Sequence, residues 1–186
     1  MKRLRQSLAA LVIAAGCHHG PPAADSQVTA APPRPAVIPA DGGERRLLRG
    51  GTAPLFIKVD PINTGSRHLV LGSSDLPPGD AIGVHRHLQE DEIIVITRGT
   101  ARVQLGKQFV TASAGATVFI PQGTCIGVTN IGVDTLSNFF VFSSPGFERA
   151  LRAVSSAPGE PPKPLTLPLR QAAFHDAHAV ADPSDC

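Results

Sequence analysis

From Leu55 onward the chain breaks into short runs of β-branched residues bounded by Gly, Pro, Ser or Asp, and this feature constrains the fold most. The runs fall at 55–59, 67–71, 81–87, 92–97, 101–105, 108–112, 117–120, 125–130 and 135–142. Gly72-Ser73-Ser74-Asp75 and Pro77-Pro78-Gly79 read as turns between them. Regular short strands with turns of this kind predict an all-β sandwich or barrel. Ile93-Ile94-Val95-Ile96 is apolar on both faces. Such a strand is expected to be covered on both sides, by a second sheet or by a partner subunit in a homodimer. After Pro145-Gly146, the residues Phe147, Ala150, Leu151 and Val154 recur at helical spacing, which predicts a short helix closing the barrel.

The length of 186 residues suits one domain with tails. Pro and Gly number 18 each, and the Pro residues gather toward the two ends. The layout reads as a signal segment at 1–16, a Pro/Ala-rich tether at 17–45, the β domain at 46–154 and a Pro-rich tail at 155–186. The tail has room for a short helix near residues 170–179, with His175 and His178 read as solvated. A net charge of +2, with no Trp and no Tyr, offers no basic stripe with interleaved aromatics, so nucleic acid is excluded as a partner. Cys17, Cys125 and Cys186 form no zinc pattern. Cys125 and Cys186 can pair in an oxidising compartment, but Cys186 ends a loose tail, and Cys125 reads first as a small buried hydrophobe.

At the N-terminus, Lys2, Arg3 and Arg5 precede an apolar run at 8–15. The run is far shorter than the roughly 20 residues that span a bilayer, so it reads as a signal segment. Ala14-Ala15-Gly16-Cys17 resembles the lipobox of bacterial lipoproteins, with Ala where Leu is commoner. The resemblance implies cleavage before Cys17, diacylation of Cys17, and a lipid anchor to a membrane facing the periplasm. His18 in place of Asp after the cysteine points to the outer membrane.

The chemistry concentrates in the segment from Gly79 to Glu92. His85 and His87 stand two apart on a strand, so both side chains leave one face about 6.6 Å apart while Arg86 points away. Glu92 opens the next run and can return its carboxylate to the same point. Two imidazoles and one carboxylate suit a divalent ion with open positions: Fe, Mn, Ni, Cu or Zn.

These spacings carry a family resemblance. Gly79, five residues, His85, one, His87, four, Glu92, six, and Gly99 resemble the first cupin motif. Gly115, five residues, Pro121, one, Gly123, and then Asn130 resemble the second. The resemblance implies a cupin double-stranded β-helix, a jelly-roll barrel, with His85, His87 and Glu92 binding metal inside it. In the second motif the position of the usual fourth ligand, a His, holds Ile126. Two readings therefore stand open. One is a three-ligand metal centre with oxygenase, isomerase or lyase chemistry on a small molecule. The other is a non-enzymatic barrel that binds a small ligand or serves as a structural module. Arg98, Arg102, Glu90 and Asp91 read as solvated charges, with Glu90 or Asp91 able to orient a ligand imidazole. His68 is the candidate for a fourth arm, and Gln104 for an inward amide that meets substrate.

Overall fold

A computed structural model describes residues 32–186. The signal segment, Cys17 and the first part of the tether lie outside the described residues. Eleven strands and two helices follow one another as β1 (Glu44–Leu48), β2 (Ala53–Val59), β3 (Val70–Leu76), β4 (Ala81–His87), β5 (Glu92–Arg98), β6 (Thr100–Leu105), β7 (Gln108–Ser113), β8 (Thr117–Ile120), β9 (Ile126–Asn130), β10 (Leu136–Phe142), α1 (Glu148–Ala153), α2 (Leu167–Asp176) and β11 (Ala179–Ala181). A 3₁₀ turn at Arg49–Gly51 joins β1 to β2.

All pairings are antiparallel. One sheet runs β1-β2-β3-β10-β5-β8 and the other β11-β4-β9-β6-β7. The connection between β4 and β5 therefore crosses from one sheet to the other. Inward side chains from both sheets make one core, with Leu55, Ile96, Val103, Ile120, Ile126 and Leu136 fully buried in it. This is the all-β barrel that the turn-bounded runs predict, in the jelly-roll form that the resemblance implies, with the expected short helix as α1. Gly99 makes the sharp turn between β5 and β6 at φ +85, where a Cβ would press on the Leu136 backbone at 3.0 Å.

The structure departs from the sequence reading at three places. β3 runs through Gly72-Ser73-Ser74-Asp75, which read as a turn. Small polar residues suffice there because β3 lies between β2 and β10, and its ladder bonds and neighbours hold it extended. Gly72 is needed because the Phe140 ring lies against its Cα, and Ser74 Oγ bonds the Asn138 side chain at 3.0 Å. Second, β5 is not covered on both faces within the chain. Ile94 and Ile96 are buried, whereas Ile93 is 38 % exposed and sits beside Phe119 on the outer face.

The third departure is the largest. Residues 155–186 do not trail away as a loose tail. The short helix expected near 170–179 forms as α2, with Thr166 as its N-cap and Pro168 in its first turn, and beyond it β11 pairs with the edge strand β4. Cys186 is disulfide-bonded to Cys125, with Cα atoms 6.0 Å apart. The end of the tether is docked as well: Lys58 Nζ donates to the carbonyls of Pro39, Ala40 and Gly42 at 2.7–3.0 Å. α1 closes one end of the barrel. Arg152 on it bonds Glu44 at 2.6 Å and the fully buried Asp60 at 2.5 Å, which ties the helix to β1 and β2. Among the described residues, no helix is long and apolar enough to cross a membrane.

Candidate metal centre

His85 and His87 share the inner face of β4, and Arg86 between them turns outward to a bidentate pair with Asp185 at 2.7 and 2.8 Å. A register shift between β4 and β9 between Ile82 and His85 sets His85 opposite Ile126. Glu92 begins β5 between Phe142 of β10 and Ile120 of β8. Gly123 N donates to His87 O at 2.7 Å and Leu88 N to His178 O at 2.9 Å at the start of the crossing turn, and Ser143 N donates to Asp91 O at 3.0 Å at its end. Asp91 Oδ1 accepts from Gln122 N at 2.8 Å, a role in the turn and not at the centre.

The donor atoms of His85, His87 and Glu92 lie within 4.8 Å of one another, and all three residues are 5 % exposed or less. His85 Nδ1 faces Gly83 O at 2.9 Å, which fixes the proton on Nδ1 and leaves Nε2 as a lone-pair donor. Burial holds the His85 pKa down to about 3, helped by the neighbouring His87 and Arg170 and opposed by the Gly83 carbonyl, so the ring is neutral near pH 7. His87 Nε2 lies 3.4 Å from Glu92 Oε2 without hydrogen-bond geometry. Both ring nitrogens of His87 and Oε2 of Glu92 are buried with no partner in the protein. Orphaned buried polar atoms of this kind are costly, and a divalent cation would take one His87 nitrogen and the Glu92 oxygen. The donor set fits such an ion.

Aromatic rings fix the imidazoles. Phe147 stacks on His85 at 5.8 Å and meets His87 edge-on at 4.3 Å, Phe142 tilts against His87 at 5.0 Å, and Phe174 of α2 stands 5.5 Å from His85. A chamber of about 100 Å³ adjoins the centre, and Leu55, Ile94, Ile126, Phe140 and Phe174 are among its walls. Two arginines also line it, and each is already paired: Arg49 with Asp80 at 3.8 Å, and Arg170 with Asp182 at 2.6 Å.

Residues 72–142 match the cupin domain family. The domain is a cupin. Among solved structures, the cupin is similar to a predicted oxalate decarboxylase from Thermotoga maritima, with 20 % identity, TM-score 0.53, and coverage of 59 % of this chain and 99 % of that one. It is also similar to KdgF from Halomonas sp., with 16 % identity, TM-score 0.51, and coverage of 59 % and 94 %. At these identities the likeness is one of fold. A search of curated proteins finds no match to the chain.

Other candidate residues fall elsewhere. His68 is exposed on the approach to β3 and supplies no fourth arm. Gln104 turns away from the core, and its amide bonds the Gly106 carbonyl at 3.0 Å. His175 and His178 are exposed, as expected of them. Glu90 is not a solvated loop charge. It is 2 % exposed, its Oε2 has no partner, and burial, reinforced by Glu148, pushes its pKa up against the opposing pull of His87 and His178. Nothing in the local sequence marks Glu90 as buried. The cover over it comes from residues 146–148, where a Cβ on Gly146 would meet Glu90 Oε1 at 2.8 Å. Phe147, Arg170 and Phe174 also escape the sequence reading, because they reach the centre only through the packing of α1 and α2.

Proposed function

We propose that the protein holds one divalent metal ion through His85 Nε2, His87 and Glu92, and presents it to a small molecule whose apolar body fills the adjoining chamber. The observation that carries this reading is the set of buried, unpartnered donors on His87 and Glu92 within 4.8 Å of His85. A bound divalent ion would supply Lewis-acid polarisation of a substrate oxygen, which fits oxygenase, isomerase or lyase chemistry. The chain's own part is to keep His85 neutral, to orient both rings against Phe147, and to exclude water with an apolar wall. The second reading, a barrel that binds a small ligand without turnover, is favoured by Ile126, which replaces a fourth ligand with apolar surface.

The site of action belongs to the same proposal. A lipid on Cys17 would anchor the barrel to a membrane of the cell envelope, facing the periplasm. The Cys125–Cys186 disulfide supports export, because such bonds persist in oxidising compartments.

The test is metal content. Elemental mass spectrometry on the full-length chain should find about one equivalent of a divalent ion, and chelation should lower the melting temperature. His87→Ala should lose the metal while keeping its far-UV circular dichroism. Metal content unchanged in that variant would overturn the assignment.

A further inference from the structure

The C-terminal segment lies directly over the proposed centre. β11 pairs with β4 at the ligand positions themselves: Ala179 opposite His87, Val180 opposite Arg86, and Ala181 opposite His85. Leu88 N donates to His178 O and Asp182 N to Val84 O, both at 2.9 Å, so the segment is bonded to both ends of the His85–His87 stretch. Phe174 on α2 covers His85 and Phe147, and Leu165, Arg170 and Phe174 help to wall the chamber.

Beyond the backbone pairing with β4 and the Arg170 Nη2 bond to Val84 O at 2.8 Å, what holds this cover is meagre. Its buried side chains are Ala173, Phe174, Ala177, Ala179 and Ala181, four of them alanines with little apolar surface to bury. The Arg86–Asp185 pair ends on an aspartate that is 62 % exposed, and surface pairs of this kind add little. The Pro-rich stretch 157–165 that leads into α2 carries no regular element. An element with few buried apolar contacts belongs to the part of a structure that opens first. The covalent fastening is the Cys125–Cys186 bond, which pins Cys186 beside Ile126, a wall of the chamber.

We propose that residues 164–186 are a lid over the metal centre and that the Cys125–Cys186 disulfide is its latch, so that thiol–disulfide exchange governs access to the chamber. A dithiol reductant supplies two electrons and two protons. The Cys125–Cys186 bond breaks, both sulfurs become thiols, and the dithiol leaves as its own disulfide. Freed at Cys186, the segment swings on 157–163. β11 leaves β4, and Phe174 withdraws from His85. A disulfide-bearing oxidant reverses the exchange, taking the two electrons and two protons as its own dithiol while Cys125–Cys186 re-forms and the lid closes. This gate regulates the site proposed above and rests on that reading for its purpose, but its geometry depends on no metal.

The experiment is hydrogen–deuterium exchange, read by mass spectrometry, on the metal-stripped full-length chain before and after dithiothreitol. Reduction is expected to raise exchange at least tenfold in peptides covering 167–186 and at the Leu88 amide. Peptides covering Val70–Leu76, which lie between β2 and β10 in the other sheet, should be unchanged. Cys186→Ser should exchange fast at the lid without reductant and should not respond to it. Equal lid exchange in the oxidised and reduced chain would overturn the latch. So would a rise that spreads equally to Val70–Leu76 in the other sheet, because that is loosening of the whole barrel. The metal proposal fails separately, on elemental content, whatever the exchange result.

Discussion

Ile126 faces His85 across the β4–β9 pairing and lines the chamber beside Glu92. A histidine placed there would bring a third imidazole to the same cavity. Ile126→His is expected to tighten divalent-metal binding at least tenfold, about 1.4 kcal/mol, in a chelator-competition titration. A flat or weaker affinity would show that position 126 does not address the ion. His85 makes a second prediction, for the metal-free protein. Its folded pKa of about 3 lies below its ordinary value of 6.5, so the unfolded chain takes up a proton that the folded one refuses. The stability that neutral His85 contributes is whole above pH 6.5 and is lost as the pH falls from there toward about 3. Urea midpoints of the chelated protein should therefore drop between pH 7.5 and pH 5, and drop less in His85→Gln. An equal drop in the variant would remove His85 as the cause. The convergence of His85 and His87 was legible from a spacing of two on a strand. The burial of Glu90 was not, because residues more than 50 positions away supply its cover.

Among the elements, β3 and the C-terminal pair α2–β11 teach most. The Gly-Ser-Ser-Asp stretch has the composition of a turn, yet β2 and β10 hold it as strand through backbone bonds that side-chain composition does not report. Gly72 is the residue this arrangement requires. A Cβ there would overlap the Phe140 ring and approach Phe56 O at 2.6 Å. Gly72→Ala should cost about 1–3 kcal/mol, the range for overpacking, and lower the melting temperature by several degrees. A melt equal to the wild type would mean that Phe140 moves aside freely. β11 was hidden for a related reason. Three residues, Ala-Val-Ala, carry too little pattern to predict a strand, and only the free edge of β4 makes one of them.

For the whole molecule, the described barrel sits at the end of a Pro/Ala-rich stretch whose last part is docked by Lys58. If Cys17 carries the lipid proposed for it, Cys17→Ser should move the protein from the membrane pellet to the soluble fraction on cell fractionation. A variant that still pellets would set that anchor aside. Local chemistry determined the all-β class and the closeness of His85, His87 and Glu92: strand period and turn residues act over a few positions, and all three ligand candidates lie within eight residues. Only tertiary packing decided that Phe147, Phe174 and Arg170 surround them and that Glu90 is buried. It also decided that Cys186 closes back on Cys125, 61 residues away. Those contacts join sheet, helix and chain end across long sequence separations, and no local pattern of charge or hydrophobicity encodes which distant surfaces will meet.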